Sequence, residues 1–111
     1  MSIPKRLQLS VVIPAYNEKE TINTIIRRVK SVNLGSIKKE IIIVDDGSKD
    51  GTREILKKIS GIKYILHQKN LGKGGALKTG LKSATGDIVI FQDADLEYDP
   101  QDYPAMIKPI I

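Results

Sequence analysis

Short β-branched runs alternate with stretches of helical period along this chain, and this alternation limits its fold more than any other feature. Residues 9–13, 40–44 and 87–91 are mostly apolar without alternating between apolar and polar positions. Such runs are typical of strands that are buried on both faces of a parallel sheet. A weaker run, residues 62–66, lies between the second and the third of them, so we expect four strands.

Three stretches between these runs have the period of amphipathic helices. The apolar positions that mark them are Ile22, Ile25, Ile26 and Val29, then Ile55, Leu56 and Ile59, then Leu77, Leu81 and Ala84 with Gly80 among them. We expect Asn17 and Glu20 to start the first helix as a pair that resembles a capping box, and Asp50 to cap the second.

The resulting β-α-β-α-β-α-β order predicts one α/β domain over residues 1–111, Rossmann-like, with three αβα layers and a mainly parallel sheet. We expect the strand order 3-2-1-4, with strand 1 in the centre. In sheets of this kind, ligands bind beyond the carboxyl ends of the strands, where the strand order reverses.

Composition excludes several classes of protein. The net charge of +5 is spread along the chain without a basic block, so we expect no nucleic-acid partner. Apolar runs reach about five residues, far short of the roughly 20 that span a bilayer, and the N-terminus lacks a secretory signal. The absence of cysteine excludes disulfides and thiolate metal sites, and it is compatible with a reducing compartment. We expect a cytoplasmic location, at the cytoplasmic face of a membrane for the full-length protein.

Polar clusters follow three of the expected strands, at residues 14–18, 45–48 and 93–97. Each cluster alone is compatible with a helix cap, a polar turn or a solvated loop. The three together would lie at one edge of a parallel sheet, which indicates a site.

The last cluster belongs to the stretch FQDADLEYDP, where four acidic side chains follow an apolar run. Asp93 and Asp95 are one residue apart, so in an extended turn both can direct oxygens toward one hard cation that also keeps water and phosphate ligands. This arrangement favours a Mg²⁺ or Mn²⁺ diphosphate site, and the cation would explain why the carboxylates coexist.

Two other motifs are incomplete. The stretch that begins at Asp46 imitates a calcium loop, but its twelfth position is Lys57 where a Glu is required. Residues 72–75 read GKGG and complete neither a P-loop nor a dinucleotide fingerprint, which leaves Lys73 as a candidate phosphate contact.

The segments SVVIPAYNEKETI, EIIIVDDGSKDGT and NLGKGGALKTGLKSATGDIVIFQDADLEYDP, in this order and spacing, resemble the N-terminal half of family 2 glycosyltransferases of GT-A fold. Within that family they look most like polyprenyl-phosphate (dolichol-phosphate) mannosyl- and glucosyltransferases. The resemblance implies inverting transfer of a sugar from a nucleotide diphosphate donor, of the GDP-mannose or UDP-glucose type, to a lipid phosphate at a membrane surface.

The resemblance also implies roles for individual residues. The nucleoside would be held by Pro14, Tyr16, Glu18, Val44 and Asp46, with Asp46 near the base or the ribose. Ribose and diphosphate would be approached by Asp93, Ala94 and Asp95, and Asp93 and Asp95 would be the catalytic residues. The metal, Mg²⁺ or Mn²⁺, would be ligated by Asp95 and Glu97.

Family members continue past this region into a second half that supplies acceptor contacts, so we expect this chain to be the donor-binding half. The sheet edge at residues 88–91 would then be unpaired, and the chain would self-associate there. The apolar residues expected to lack partners are Met106, Ile107, Ile110 and Ile111. The alternative is a helix from Gln101 onward that covers the edge.

Two other functions stay open at this point. A non-catalytic nucleotide-sugar-binding module would keep the same pocket without chemistry. A receiver-type phosphoacceptor domain would also have an acidic magnesium pocket, but its acidic pair usually follows the first strand. His67, the single histidine, is more often structural than catalytic at such a position.

Overall fold

A computed structural model describes residues 7–95 and 99–109. The elements, in chain order, are β1 (Gln8–Ala15), α1 (Ile22–Ser31), β2 (Lys38–Asp45), α2 (Thr52–Lys57), β3 (Lys63–Leu66), α3 (Gly72–Ser83), β4 (Ile88–Phe91), a short 3-10 helix (Pro100–Asp102) and α4 (Tyr103–Ile107). The four predicted strands and the three predicted helices between them are confirmed.

The strands form one parallel sheet in the order β3-β2-β1-β4, as predicted. Val11 of β1 lies beside Ile41 of β2 on one side and beside Ile90 of β4 on the other. After β3 the chain crosses back over the sheet, through α3, to the far side of β1. The strand order therefore reverses at β1, because the connection after β1 leads to β2 on one side and the connection after β3 leads to β4 on the other.

Helices cover both faces of the sheet, which confirms the three-layer prediction. On one face, all four marker residues of α1, Ile22, Ile25, Ile26 and Val29, are buried. They belong to the main core cluster, together with residues of β1, β2, β4, α2 and α4. Full burial of a side chain of this size contributes about 2 kcal/mol. A smaller cluster on the other face joins β2 to α3.

The buried face of α3 differs from the predicted one. Ala76 and Gly80 are buried, whereas Leu81 is 51% exposed. The reason is close approach: a Cβ at Gly80 would lie 2.3 Å from Cγ1 of Val12 and 3.3 Å from Cγ2 of Val44. Because the helix backbone lies almost on the sheet, small residues face it and the leucine points outward.

Of the two predicted helix caps, the one for α1 is wrong, and the one for α2 lies one residue away from the observed N-cap position. Asn17 does not cap α1, which begins at Ile22; Asn17 has φ +53° and its Oδ1 accepts a hydrogen bond from the Lys49 N–H at 2.9 Å. Asp50 lies one residue before the N-cap position of α2. Its Oδ1 nevertheless accepts from the backbone N–H and the hydroxyl of Thr52, at 3.0 and 2.6 Å, so it does stabilise the start of that helix.

A buried carboxylate ties the sheet together at the end opposite to the polar clusters. Glu40 accepts hydrogen bonds from the Ser10 hydroxyl at 2.6 Å and from the Thr85 N–H at 3.0 Å, and Lys63 pairs with its other oxygen. Burial alone would raise the pKa of Glu40, but these donors outweigh burial and lower the pKa to about 2.

The C-terminal part of the chain corrects one expectation. Ile107 is buried with Tyr103 in the main core, so it does not lack partners, whereas Met106 is 52% exposed as expected. Ile110 and Ile111 lie outside the described residues. β4 pairs with β1, and no strand among the described residues pairs with its other edge. None of the helices within residues 7–95 and 99–109 has the length and apolar character needed to cross a bilayer.

Candidate functional site

A cavity of about 330 Å³ lies at the carboxyl ends of the strands, where the strand order reverses. It is open to solvent and mixes apolar and charged groups, as expected for a ligand site in this class of sheet. Its lining residues are Pro14, Ala15, Tyr16, Glu18, Asp46, Asn70, Gly72, Lys73, Ala76, Asp93, Ala94 and Asp95.

The loop after β1 forms one wall, and it is held by side chains of the loop after β2 and of the first residue of α2. The backbone N–H groups of residues 17–19 donate in turn to Ser48 Oγ at 2.8 Å, Thr52 Oγ1 at 3.0 Å and Asp50 Oδ2 at 3.1 Å. We call these three contacts the loop clasp. It fixes the backbone that carries Tyr16 and Glu18, so the two polar clusters form one structural unit.

The neighbouring residues Asp45 and Asp46 have different roles: Asp45 holds a turn, and Asp46 lines the cavity. Asp45 is buried outside the cavity; its Oδ2 accepts from the Ser48 N–H at 3.0 Å and lies 3.4 Å from Nε of Arg53. These contacts hold the turn that carries Ser48 of the loop clasp. Asp46 lines the cavity instead.

Asp46 is the first member of a chain of hydrogen bonds that the sequence did not predict. Its Oδ1 lies 2.8 Å from Nδ1 of His67 and accepts from the Leu71 N–H, also at 2.8 Å. Nε2 of His67 lies 2.8 Å from the hydroxyl of Thr79, which in turn donates to the Gly75 carbonyl at 3.0 Å. The carboxylate is thereby connected to α3, on the opposite wall of the cavity.

The far end of the cavity carries the acidic residues that follow β4. Lys73, in the first turn of α3, places Nζ 2.6 Å from Oδ1 of Asp93, so the candidate phosphate contact and the acidic cluster meet. Ala94 is buried beside them, and Asp95 is exposed to the cavity. Opposite charges therefore lie side by side here, which is suited to a ligand that carries both a metal ion and phosphates.

Glu18 faces this acidic end from the loop after β1. Partial burial raises the pKa of its carboxyl group, and the negative charges of Asp95, Asp50 and Asp93 raise it further, against a hydrogen bond from Thr21 that lowers it. The cavity is thus a region of negative potential near Glu18, which a cation would relieve.

The sequence profile described as Glycosyl transferase family 2 matches residues 10–111. The chain belongs to glycosyltransferase family 2. A curated relative, the dolichol-phosphate mannosyltransferase of Pyrococcus furiosus, is 36% identical over 107 residues, which cover 94% of this chain and 30% of that protein. The chain thus spans about a third of the length of such relatives.

Solved glycosyltransferase structures have the same fold. A mannosyltransferase from Pyrobaculum calidifontis, in complex with GDP-Man and Mn²⁺, matches with a TM-score of 0.77 at 27% identity over 88% of this chain and 30% of that one. Glucosyl-3-phosphoglycerate synthase from Mycobacterium tuberculosis, in complex with Mn²⁺, UDP and glucosyl-3-phosphoglycerate, matches with a TM-score of 0.76 at 34% identity over 94% of this chain and 39% of that one. The predicted GT-A fold is confirmed, and the receiver-type alternative is wrong.

The donor atoms of this family 2 chain fit a hard divalent cation. Asp93 and Asp95 offer carboxylate oxygens, which Mg²⁺ and Mn²⁺ prefer, and neither thiolate nor imidazole lies with them. No group of three or more acidic, histidine or cysteine side chains that could hold a metal occurs within residues 7–95 and 99–109. Glu97, the second predicted metal ligand, lies outside the described residues.

Val44 is the predicted nucleoside contact that the cavity does not include. Its side chain is fully buried on the face of β2 that packs against Ala76 of α3. Side chains alternate along a strand, so Val44 points to the helix layer beneath the cavity and not into it. It supports the cavity floor, since Ala76 itself lines the cavity.

The lining residues that the sequence did not single out are Ala15, Asn70, Gly72 and Ala76. A signal for one of them, Asn70, was present in the glycine at position 47: Gly47 has φ +84°, and a Cβ there would lie 3.0 Å from the Asn70 N atom. The turn after β2 therefore requires a glycine where the backbone of the loop after β3 passes. That contact brings Asn70 to the cavity, although the spacing of the motifs does not reveal it.

Proposed function

We propose that this chain binds the donor in a glycosyltransferase that moves a sugar from a nucleoside diphosphate to a polyprenyl or dolichyl phosphate, with inversion at the anomeric carbon. One observation carries the proposal: a single cavity joins Tyr16 and Asp46 at one end to Lys73, Asp93 and Asp95 at the other. The first end suits a nucleoside and the second a metal-bound diphosphate.

The dimensions of the sheet support this orientation of the donor. Asp46 follows β2 and Asp93 follows β4, with β1 between these two strands. Two strand spacings separate them by about 10 Å, a span that an extended nucleoside diphosphate can bridge. The half-exposed Tyr16, which directly follows β1, is placed to contact the nucleoside.

At the diphosphate end, a Mg²⁺ or Mn²⁺ ion held by Asp95 and Glu97 would act as a Lewis acid on the leaving diphosphate. Lys73 now neutralises Asp93, and its ammonium can turn to a phosphate oxygen when the donor enters. Asp93 and Asp95 are the residues that we assign to catalysis. Both approach the part of the donor where negative charge increases as the glycosidic bond breaks.

The acceptor assignment rests on the Pyrococcus relative, whose name specifies dolichol phosphate. A lipid phosphate is already ionised at neutral pH, so it needs no strong general base from this chain. Such an acceptor would be reached at a membrane surface, and we propose its cytoplasmic face.

Calorimetric titration of the chain with UDP and GDP, in the presence and absence of Mn²⁺, tests donor binding. The variant Asp95→Asn should weaken Mn²⁺-dependent binding by about tenfold or more, because a metal ligand is lost. Glu54→Gln is the matched control, since it removes one exposed carboxylate on α2, outside the cavity lining. Equal affinities for the two variants would refute the metal role of Asp95.

An assay of sugar transfer to a polyprenyl phosphate separates the two remaining functions. Product formation would show catalysis by the chain itself. Binding of the donor without transfer would favour the nucleotide-sugar-binding module, with chemistry that depends on parts of the family fold beyond these residues.

A further inference from the structure

The two carboxylate oxygens of Asp46 are not equivalent. Oδ1 accepts two hydrogen bonds, from His67 Nδ1 and from the Leu71 N–H, both at 2.8 Å. Since an ionised carboxylate can only accept, Nδ1 of His67 carries a proton and donates it. Two donors fill the acceptor capacity of one carboxylate oxygen, so Oδ1 is unavailable to a ligand.

Oδ2 is the oxygen that is left for a ligand. No residue within 7–95 and 99–109 donates a hydrogen bond to it, and it is not among the fully enclosed polar atoms of the described chain. Asp46 lines the cavity at the end of β2, and β1 lies between it and the acidic cluster after β4. If the diphosphate lies at that cluster, the group that meets Oδ2 belongs to the nucleoside.

His67 is well placed to keep this arrangement fixed. Its side chain is 10% exposed, and its second ring nitrogen is held at 2.8 Å by the hydroxyl of Thr79, in the middle of α3. Because both ring nitrogens are engaged, the imidazole cannot turn without breaking a contact. Asp46 is therefore held in one orientation before any ligand arrives, which lowers the entropic cost of binding.

We propose that His67 is a positioning residue that leaves Asp46 a single acceptor oxygen for the base, and that the site consequently selects uracil over guanine. This inference rests on the proposed donor-binding function and specifies the nucleotide that it takes.

The edges of the bases give the reason. Uracil presents one ring donor, N3–H, which a single carboxylate oxygen satisfies. Guanine presents two adjacent donors, N1–H and the exocyclic amine, which match a carboxylate with both oxygens available. Cytosine and adenine present a ring nitrogen that accepts, and it would face the carboxylate without a proton between them. A site built around one donor rejects bases that leave polar groups unpaired.

The test measures affinities of the chain for UDP, GDP, CDP and ADP by calorimetry in Mn²⁺. We expect UDP to bind about tenfold or more tightly than GDP, and CDP and ADP to bind more weakly still. GDP affinity equal to or above that for UDP would overturn the inference. A complete lack of nucleotide binding would instead contradict the proposed function.

Two variants of the histidine separate positioning from support of the fold. In His67→Asn the side-chain amide replaces Nδ1 and can still donate to Asp46, whereas in His67→Gln it replaces Nε2 and can contact only Thr79. We expect His67→Asn to keep the preference for UDP and His67→Gln to reduce it to about threefold or less. A merely structural role would change affinity for both nucleotides together, so an unchanged UDP-to-GDP ratio in His67→Gln would overturn the inference. If neither variant folds, the comparison of the four nucleotides on the unchanged chain still decides whether the site selects uracil over guanine.

Discussion

The buried carboxylate of Glu40 should make the stability of this chain depend on pH in a specific way. Its pKa is about 2 in the folded chain, against 4.5 for an unperturbed glutamate. Because the folded value is the lower one, ionised Glu40 stabilises the fold fully above pH 4.5. That contribution is lost as the pH falls from about 5 toward 2.

The difference between the two pKa values corresponds to roughly 3 kcal/mol. Part of it comes from Lys63, whose side chain is 58% exposed and therefore screened by solvent, so we reduce the figure to about 2 kcal/mol. The remainder comes from the buried Ser10 hydroxyl and from the Thr85 N–H, whose contact with the carboxylate is partly buried. Glu40→Gln removes the negative charge and replaces one of the two oxygens by an NH₂ group, which donates hydrogen bonds and cannot accept them.

Urea unfolding at pH 7 and at pH 3, for the unchanged chain and for Glu40→Gln, measures this contribution. We expect the variant to be less stable by about 2 kcal/mol at pH 7 and by much less at pH 3. Glu54→Gln, at an exposed position, should behave as the unchanged chain at both values. The same destabilisation by Glu40→Gln at pH 7 and pH 3 would show that shape, not charge, explains the role of this residue.

Three further predictions follow from packing, from the loop clasp and from the sheet edge. Gly80→Ala should destabilise the chain by about 1–3 kcal/mol in urea unfolding, because the added Cβ has no room against the sheet. Gly74→Ala in the same helix is the control: its Cβ would meet nothing within 4 Å, so the substitution should be neutral or stabilising. Thr52→Val removes one acceptor of the clasp and should weaken UDP binding severalfold in calorimetry, while unchanged affinity would show that the loop holds its shape without it. The edge of β4, with which no strand of the described residues pairs, lies beside the half-exposed Phe91 and Met106 and should make the chain self-associate at micromolar concentration. A monomer in sedimentation would contradict this.

Much of this architecture could be predicted because its causes are local or follow from chain handedness. The continuous apolar runs specify buried parallel strands, and right-handed crossovers with a reversal at β1 then give the observed order. The spacing of Ile22 and Val29 is enough to identify the buried face of α1. The meeting of three polar clusters at one edge follows from the same topology.

The remaining features depend on contacts that local patterns do not record. Asn17 has the composition of a helix cap, but its oxygen accepts from Lys49, 32 residues away along the chain. Leu81 has the spacing of a core residue, but the absence of a Cβ at Gly80 lets the helix lie too close for a large side chain beneath it. The contact between His67 and Asp46 joins the ends of two different strands, so the local sequence around either residue does not predict it.

Because of the loop clasp, the backbone path of one cavity wall is determined by side chains that do not belong to that wall. The wall that carries Tyr16 owes its backbone path to the side chains of Ser48, Asp50 and Thr52, while residues 17–19 contribute main-chain donors that every amino acid except proline possesses. Substitutions of Glu18 and Lys19 by residues other than proline should therefore leave the path of that wall intact, whereas Asn17 also contributes its φ of +53° and its contact with the Lys49 N–H. Substitution of Ser48, Asp50 or Thr52, about 30 positions later in the chain, should instead change the path of the wall. In a mutational scan, the substitutions that alter this wall would therefore fall in a segment other than the one that forms it.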